Sequence, residues 1–523
     1  MNQPKAYHEY IEFKNAKLFT IICLPDNNGK FPTVIMRSPY VDSDELLNEE
    51  EICQKHLKAN ESWLENGYAV VFQHCRGRGK SSGDPIPYIN EREDGLTLQD
   101  FVRKQSFYNG EIYLSGGSYT SAVHYATAPF ADDIKGAVLQ VMDTERYNLT
   151  YRNGFYKMGN FGRWFVDNFK VKNKLIREFT DESYNLLPLS EFTKTYFGKK
   201  IEYFDELLKH PNKNDVFWNT RYGGGEVRNA LMNANIPVLL VTGFYDFFIG
   251  GMFDMWKALD IATKSKCAFA IHPFDHGCND LGQPIDFENG YIGKEFNDYS
   301  INWCNAIRKN EKPPFEQGKV TYYKLFDNNW YCDDFAEVDN FKRIDLGEGE
   351  KTYEYNPDYP ATFKGGLSAN LWGCAWQDEP NLRDDIISVF TPVFEQDTFI
   401  KGKIKARLKV KSNCEDTCFY MRISLCKEEG YYGLRDDINQ ISNFCDDYIP
   451  NSEIEMDFSF DEHAFVAKKG EKLRIDISSS AFPHYVRHTN NKGLFSEQKT
   501  TKIAANTIIL DKSYIEIPIS KQT

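Results

Sequence analysis

The stretch Glu111-Ile112-Tyr113-Leu114-Ser115-Gly116-Gly117-Ser118-Tyr119-Thr120-Ser121 decides how the chain is read. Ile112 to Leu114 is a short apolar run of the kind that ends a buried strand. Ser121-Ala122-Val123-His124-Tyr125-Ala126 is small and compatible with a helix. Two glycines and a serine stand between them. A strand, a tight turn and a helix in that order make a nucleophile elbow, G-x-S-x-G. Such a turn holds its serine in a strained backbone conformation, so its neighbours must be small, and Gly116 and Gly117 meet that need. The helix start directs free N–H groups and the positive end of its dipole at the serine, where an oxyanion would form. Thr120 occupies the place of the last glycine. Alone, this motif with one mismatch also describes an ordinary strand-to-helix turn, so the surrounding chain has to decide.

On the N-terminal side, Leu18 to Leu24 and Thr33 to Met36 are strand-like, and Glu50 to Glu65 has helical spacing closed by Gly67. Tyr68-Ala69-Val70-Val71-Phe72 is a near-continuous apolar run, the mark of a strand buried on both faces. A helix through Gly95 to Lys104 leads into the elbow strand, and Gly136 to Val141 is the strand after it. This alternation predicts a parallel sheet with crossovers. From Asp143 to Asn235 the chain is aromatic and charged, with helical periodicity and no good strand, which predicts a helical cap inserted into the sheet domain. Strands resume at Pro237 to Gly243 and Cys267 to Ile271, followed by a helix over Ser300 to Lys309. Beyond residue 335 short alternating strands such as Ile404 to Val410 and Lys472 to Ile477 predict an antiparallel β-sandwich, a jelly roll. The expected division is 1–142 and 236–335 for the sheet domain, 143–235 for the cap and 336–523 for the sandwich.

A serine nucleophile needs a base to take its proton and an acid to orient that base. After an elbow of this type the chain order is Ser, then Asp or Glu, then His. The strand from Pro237 runs into Gly243-Phe244-Tyr245-Asp246, placing Asp246 just beyond a carboxyl end, where open α/β sheets put their sites. The strand from Cys267 runs into His272-Pro273-Phe274-Asp275-His276, placing His276 in the loop that follows. His272 is its rival, and its place at the strand end suits a packed residue. Ser118, Asp246 and His276 therefore fall at the ends of three strands in the required order, which predicts an α/β-hydrolase.

The chain resembles the cocaine esterase and X-Pro dipeptidyl-peptidase family of serine hydrolases, the CocE/NonD acyl hydrolases. The matching stretches are Arg37-Ser38-Pro39-Tyr40, Arg76-Gly77-Arg78-Gly79-Lys80-Ser81-Ser82-Gly83, Glu93-Asp94-Gly95, Gly117-Ser118-Tyr119, Gly243-Phe244-Tyr245-Asp246, Pro273-Phe274-Asp275-His276 and Ile477-Ser478-Ser479-Ser480-Ala481-Phe482-Pro483. The resemblance implies Ser118 as nucleophile, Asp246 as acid and His276 as base. It also implies an oxyanion hole from the Tyr40 hydroxyl and the backbone N–H of Tyr119. Two departures stand out. Thr120 must alter helix-to-strand packing at the elbow, and Cys75 replaces an acidic residue and with it a local buried pair. Arg76 and Arg78 are expected to hold the loop that presents Tyr40. The cap aromatics Phe155, Tyr156, Trp164 and Phe165 are expected mainly in the core.

At 523 residues the chain has room for about three domains. Hydrophobic content of 41% and charged content of 26% are those of a globular protein. A formal charge of −14 argues against nucleic acid or anionic membranes as partners. The residues after Met1 lack the apolar core of a signal peptide, and no run suits a membrane span, so a cytoplasmic protein is expected. The 12 cysteines are expected as buried free thiols, Cys414 and Cys418 included, although their spacing suits a zinc site. No metal or organic cofactor is expected. The function these features predict is hydrolysis of a small acyl ester through an acyl-enzyme. An X-Pro dipeptidyl-peptidase or α-amino acid ester hydrolase acting on a short peptide or amino acid ester is the alternative. A silent binding protein using its sandwich for carbohydrate or self-association is the third reading. Homo-oligomerisation through the sandwich is an open expectation.

Overall fold

The computed structural model describes residues 3–26, 29–170, 172–277, 285–290, 296–366 and 373–521. Strands β1 (Lys5–Phe13), β2 (Ala16–Leu24), β3 (Phe31–Ser38), β4 (Ala69–His74), β5 (Tyr108–Gly117) and β6 (Ile134–Gln140) begin the chain. A small hairpin, β7 (Tyr151–Arg152) with β8 (Phe155–Tyr156), comes next. Then follow β9 (Val238–Tyr245), β10 (Ala268–Asp275), β11 (Val320–Lys324) and β12 (Asn329–Asp333). All but the hairpin join one sheet in the order β1-β2-β4-β3-β5-β6-β9-β10-β11-β12. From β4 to β11 each neighbouring pair is parallel, while β1, β2 and β12 add antiparallel edges.

The parallel strands are apolar throughout because both faces of the sheet are covered. Ile112 and Leu114 of β5 join one apolar cluster, and Tyr113 between them joins the other. Val71 and Val70 of β4 divide in the same way, as do Leu240 and Val241 of β9. This is the two-residue alternation of a strand, here feeding two cores at once.

Several elements differ from expectation. The helix expected over Glu50 to Glu65 is two helices, Glu49–Ala59 and Glu61–Glu65. Asn60 leaves helical geometry between them, at φ −111° and ψ 16°, and its side chain donates to the His56 carbonyl at 2.8 Å. A side-chain amide that bonds its own preceding turn competes with continuation of the helix. Strands β9 and β10 run further than their apolar runs suggested, and β10 carries an irregularity between His272 and Asp275 that accommodates Pro273. The segment between β6 and β9 holds short helices, among them Arg146–Thr150, Arg163–Phe169, Phe192–Phe197 and Glu202–Leu207, but also the β7–β8 hairpin where no strand was expected. Its aromatics pack on one another: the Phe165 ring lies 4.1 Å from those of Phe169 and Phe204. Phe155, Tyr156 and Phe165 are core residues, whereas Trp164 is partly exposed.

The C-terminal strands form an eight-stranded and a five-stranded sheet. Their inward residues, such as Leu408 and Val410 from one and Ile423 and Ile475 from the other, fill a shared core. That core is continuous with one face of the first sheet, and Leu325, just past β11, bonds to Ala464 and Val466 of the sandwich at 3.0 Å each. Arg152 of β7 pairs with Asp437 and Asp461 at 2.8 Å, tying the hairpin to the sandwich. The fold is an α/β-hydrolase with a C-terminal β-rich domain. Among the described residues no helix is long and apolar enough to cross a membrane.

Candidate active site

Strand β5 ends at Gly117 and the helix Tyr119–Tyr125 begins one residue after Ser118. Ser118 sits at φ 57° and ψ −128°, a region that costs a non-glycine residue about 1–3 kcal/mol and persists only where the surroundings enforce it. Here its N–H donates to the Gln140 carbonyl of β6 at 2.9 Å, and its own carbonyl accepts from Ser121 at 2.9 Å. A Cβ on Gly116 would meet the Thr120 carbonyl at 2.3 Å, so that glycine is required by contact. Thr120 is accommodated by its hydroxyl, which accepts from Gly117 N–H at 2.6 Å and donates to the Gly117 carbonyl at 2.7 Å. The threonine thus closes the elbow by a hydrogen bond where the motif uses a glycine.

The predicted acid and base meet this serine. His276 follows β10 directly, and its Nε2 lies 3.1 Å from Ser118 Oγ. Its Nδ1 lies 2.8 Å from Asp246 Oδ1. Asp246 follows β9 and is 0% exposed. Its other oxygen accepts from the Thr242 hydroxyl at 2.6 Å, and Oδ1 also accepts from Phe248 N–H at 3.2 Å. The Phe247 ring stacks on His276 at 4.3 Å and fixes its plane. His272, the rival, is buried, bonded to the Gly290 carbonyl at 3.4 Å and packed on Trp330. Burial lowers its pKa to about 4, so it stays neutral.

The two residues predicted to supply oxyanion donors both lie beside the serine. Tyr119 is the first residue of its helix, whose opening amides have no acceptor within the helix. Tyr40 follows β3, and its N–H donates to Ser38 Oγ at 3.0 Å. The Tyr40 side chain as a whole is 48% exposed, but its hydroxyl end is tucked against Ser118 and accepts from Trp164 Nε1 at 3.1 Å. Desolvation raises the pKa of this hydroxyl, so it remains a donor at neutral pH.

Beneath the site lies a buried ionic network. Arg37 pairs with Glu91 at 2.8 Å, Arg76 pairs with Asp94 at 2.5 Å, and the Tyr119 hydroxyl donates to Glu91 at 2.8 Å. Arg76 is therefore structural. Arg78 bonds Asn168 at 2.6 Å and so joins the loop after β4 to the helix that carries Trp164. Cys75 stands 3.7 Å from Glu91, and burial pushes its thiol far above the ordinary range. Glu91 supplies the buried carboxylate that Cys75 lacks. Neither Glu91 nor the Trp164 contact to Tyr40 was identified from the sequence.

Asp44, His56 and His74 bring ligand-type atoms within 4.8 Å of one another, a grouping that could hold a metal ion. Asp44 is already engaged from within the cluster, while His74 Nε2 makes no hydrogen bond. Lys55 Nζ is 2.5 Å from Asp44 Oδ1, and Lys80 N–H donates to His74 Nδ1 at 3.2 Å. That leaves the His74 proton on Nε2, which faces Asp44 Oδ2 at 3.0 Å. The network anchors the turn that follows Tyr40. Cys414 and Cys418 are free thiols that bond to separate carbonyls, those of Ile503 and Ser479.

The sequence model for X-Pro dipeptidyl-peptidases of the S15 family matches residues 14–278, and that for the X-Pro dipeptidyl-peptidase C-terminal non-catalytic domain matches 328–516. The chain belongs to the S15 family. Cocaine esterase from Rhodococcus sp. (strain MB1 Bresler) is 22% identical over 577 aligned positions, covering 95% of each chain. An aminopeptidase from a marine sediment Thaumarchaeota archaeon has the same fold, with a TM-score of 0.83 at 18% identity over 99% of this chain and 97% of its own. An α-amino acid ester hydrolase gives 0.80 at 17% identity over the same shares. A CocE/NonD family hydrolase from Staphylococcus aureus gives 0.66 at 15% identity, over 99% of this chain and 93% of its own. As an S15 member the protein is a serine hydrolase acting on ester or peptide bonds.

Proposed function

We propose that the protein cleaves small acyl esters by two-step acyl transfer at Ser118. The observation that carries this is the unbroken hydrogen-bond chain from Ser118 Oγ through His276 to the buried Asp246. His276 takes the Ser118 proton as Oγ bonds to the carbonyl carbon, and the oxyanion is held by the Tyr40 hydroxyl and the Tyr119 N–H. The imidazolium, held by Asp246, gives its proton to the leaving alcohol as the acyl–oxygen bond breaks. Water then enters, loses a proton to His276 and releases the acid from the serine. In this reading residues 143–235 cover the serine as a cap, supported by the reach of Trp164 to Tyr40. The chain is read as a cytoplasmic enzyme with no nucleic-acid or membrane partner.

A simple ester is favoured over a peptide or amino ester because the carboxylates near the site are engaged. A free substrate ammonium needs an acidic partner. Glu91 and Asp94 are paired with Arg37 and Arg76, and Asp42 faces Arg78 at 4.0 Å. The test has two parts. A fluorophosphonate probe is expected to modify Ser118, located by mass spectrometry of the digested protein. Hydrolysis of p-nitrophenyl butyrate is expected to exceed that of an X-Pro anilide. A folded protein that takes up no probe would reject the mechanism, and a preference for the anilide would reject the substrate class.

The oxyanion hole gives a separate prediction. Tyr40→Phe removes one donor and keeps the ring, so kcat for p-nitrophenyl butyrate should fall about 10²–10³-fold with little change in KM. Unchanged kcat in steady-state assays would show that the phenol does not hold the oxyanion.

A further inference from the structure

A hydroxyl donates one hydrogen bond and accepts others, so a row of hydroxyls can be ordered in either direction. At Ser118 the direction decides reactivity. The serine proton has to point at His276 for the attack, and the Tyr40 proton has to point at the carbonyl oxygen of the substrate. In the reverse order Ser118 gives its proton to Tyr40, and neither group is ready.

The row is fixed at both ends. His276 Nδ1 carries the proton that it shares with Asp246 Oδ1 at 2.8 Å, so Nε2 accepts from Ser118 Oγ at 3.1 Å. At the other end Trp164 Nε1 donates to the Tyr40 oxygen at 3.1 Å. An indole nitrogen has a proton and no lone pair to offer. Tyr40 therefore cannot donate toward Trp164, and its proton is left for the side on which the hydroxyl lies against Ser118. Accepting one bond also makes a hydroxyl a stronger donor of the next, which suits a group that meets an oxyanion.

The indole is held in place for this task. It stacks on Phe161 at 5.5 Å and lies near the Tyr119 and Tyr88 rings at 6.1 and 5.8 Å. The Trp164 carbonyl accepts from the Asn168 side-chain amide at 2.8 Å, and Asn168 accepts from Arg78 at 2.6 Å. Half of the Tyr40 side chain faces solvent, so without this anchor its hydroxyl is free to turn its proton to water.

We propose that Trp164 is a positioning residue of the oxyanion hole. By donating to the Tyr40 oxygen it directs the phenol proton at the reacting carbonyl and leaves the serine proton to His276. The role rests on the acyl-transfer reading of Ser118 and on Tyr40 as an oxyanion donor. The test replaces Trp164 with 3-benzothienylalanine by amber suppression, which exchanges the indole N–H for sulfur and keeps the shape of the ring. For p-nitrophenyl butyrate kcat should fall about tenfold with KM unchanged. In a Tyr40→Phe background the same replacement should change kcat by less than about twofold, because the bond it removes is already gone. The rate at which a fluorophosphonate probe labels Ser118 should follow the same pattern, independently of ester turnover. If the analogue-bearing protein does not fold, Trp164→Phe also lacks the N–H and is read in the same two backgrounds. Unchanged kcat, or a loss confined to KM, would overturn the role. So would an equal tenfold loss in the Tyr40→Phe background, which would show that Trp164 acts by packing; none of these results touches the triad. Full activity of Tyr40→Phe would remove Tyr40 as an oxyanion donor and this role with it. A wild-type protein with neither turnover nor labelling would end the hydrolase reading and the role together.

Discussion

Ser118→Ala is expected to lower kcat for p-nitrophenyl butyrate by about 10⁶-fold, the scale seen when the nucleophile of such a unit is removed. The residual rate would come from the oxyanion donors and from substrate binding, which the substitution leaves in place. The fold should be unaffected for a specific reason. The elbow geometry at Ser118 is enforced by backbone bonds, from its N–H to Gln140 and from Ser121 to its carbonyl. Alanine keeps both bonds and bears the same positive φ at the same cost. The hydroxyl is partly solvent-facing and bonds to His276, so its loss leaves no buried group in an apolar setting. Thermal unfolding of the variant should therefore fall within about 1 °C of the wild type, a shift that corresponds to about 1 kcal/mol for a chain of this size. Activity above one per cent of wild type in a purified, folded variant would show that another group performs the attack.

The features legible in the sequence were those in which local chemistry and fold position coincide. Ser118, Asp246 and His276 each follow a strand buried on both faces, and such strands announce themselves as apolar runs. The chain order of the triad then needed only those ends. Strand β1 gave no such signal: it is an edge strand in which Ile11 is the residue fully buried, so no alternation had to be written into it. The β7–β8 hairpin has two residues on each side, too few for a period of two to appear. Strand β10 looked shorter than it is because Pro273 suggests an end, and the irregularity beside it lets the strand continue to Asp275. Contacts between distant segments had no local signature. Trp164 reaches Tyr40 across 124 positions, and Arg37 meets Glu91 across 54. Each of these residues is unremarkable in its own neighbourhood and acquires its role from the layers that the sheet brings together.

Asp246→Asn is expected to reduce kcat by about 10³–10⁴-fold, through the charge of Asp246 and not through its position. The donors around the carboxylate fix how an asparagine would sit. Oδ1 receives both Phe248 N–H and the His276 ring, so an amide NH₂ placed there would face the donating Phe248. The amide nitrogen goes instead to the Thr242 side, where the hydroxyl can turn and accept. His276 then keeps an acceptor at Nδ1 and its productive tautomer, and loses the negative charge that stabilises the imidazolium formed in both steps. A structural role for Asp246 would predict a changed fold; a charge role predicts an intact fold with slow chemistry. The decisive measurement is the double variant. If Asp246 acts only through His276 on Ser118, Ser118→Ala/Asp246→Asn should be no slower than Ser118→Ala alone, because residues that work as one unit lose their effect together. A further hundredfold loss in the double variant would mean that Asp246 serves the residual, serine-independent reaction, and its assignment as the orienting acid would have to be withdrawn.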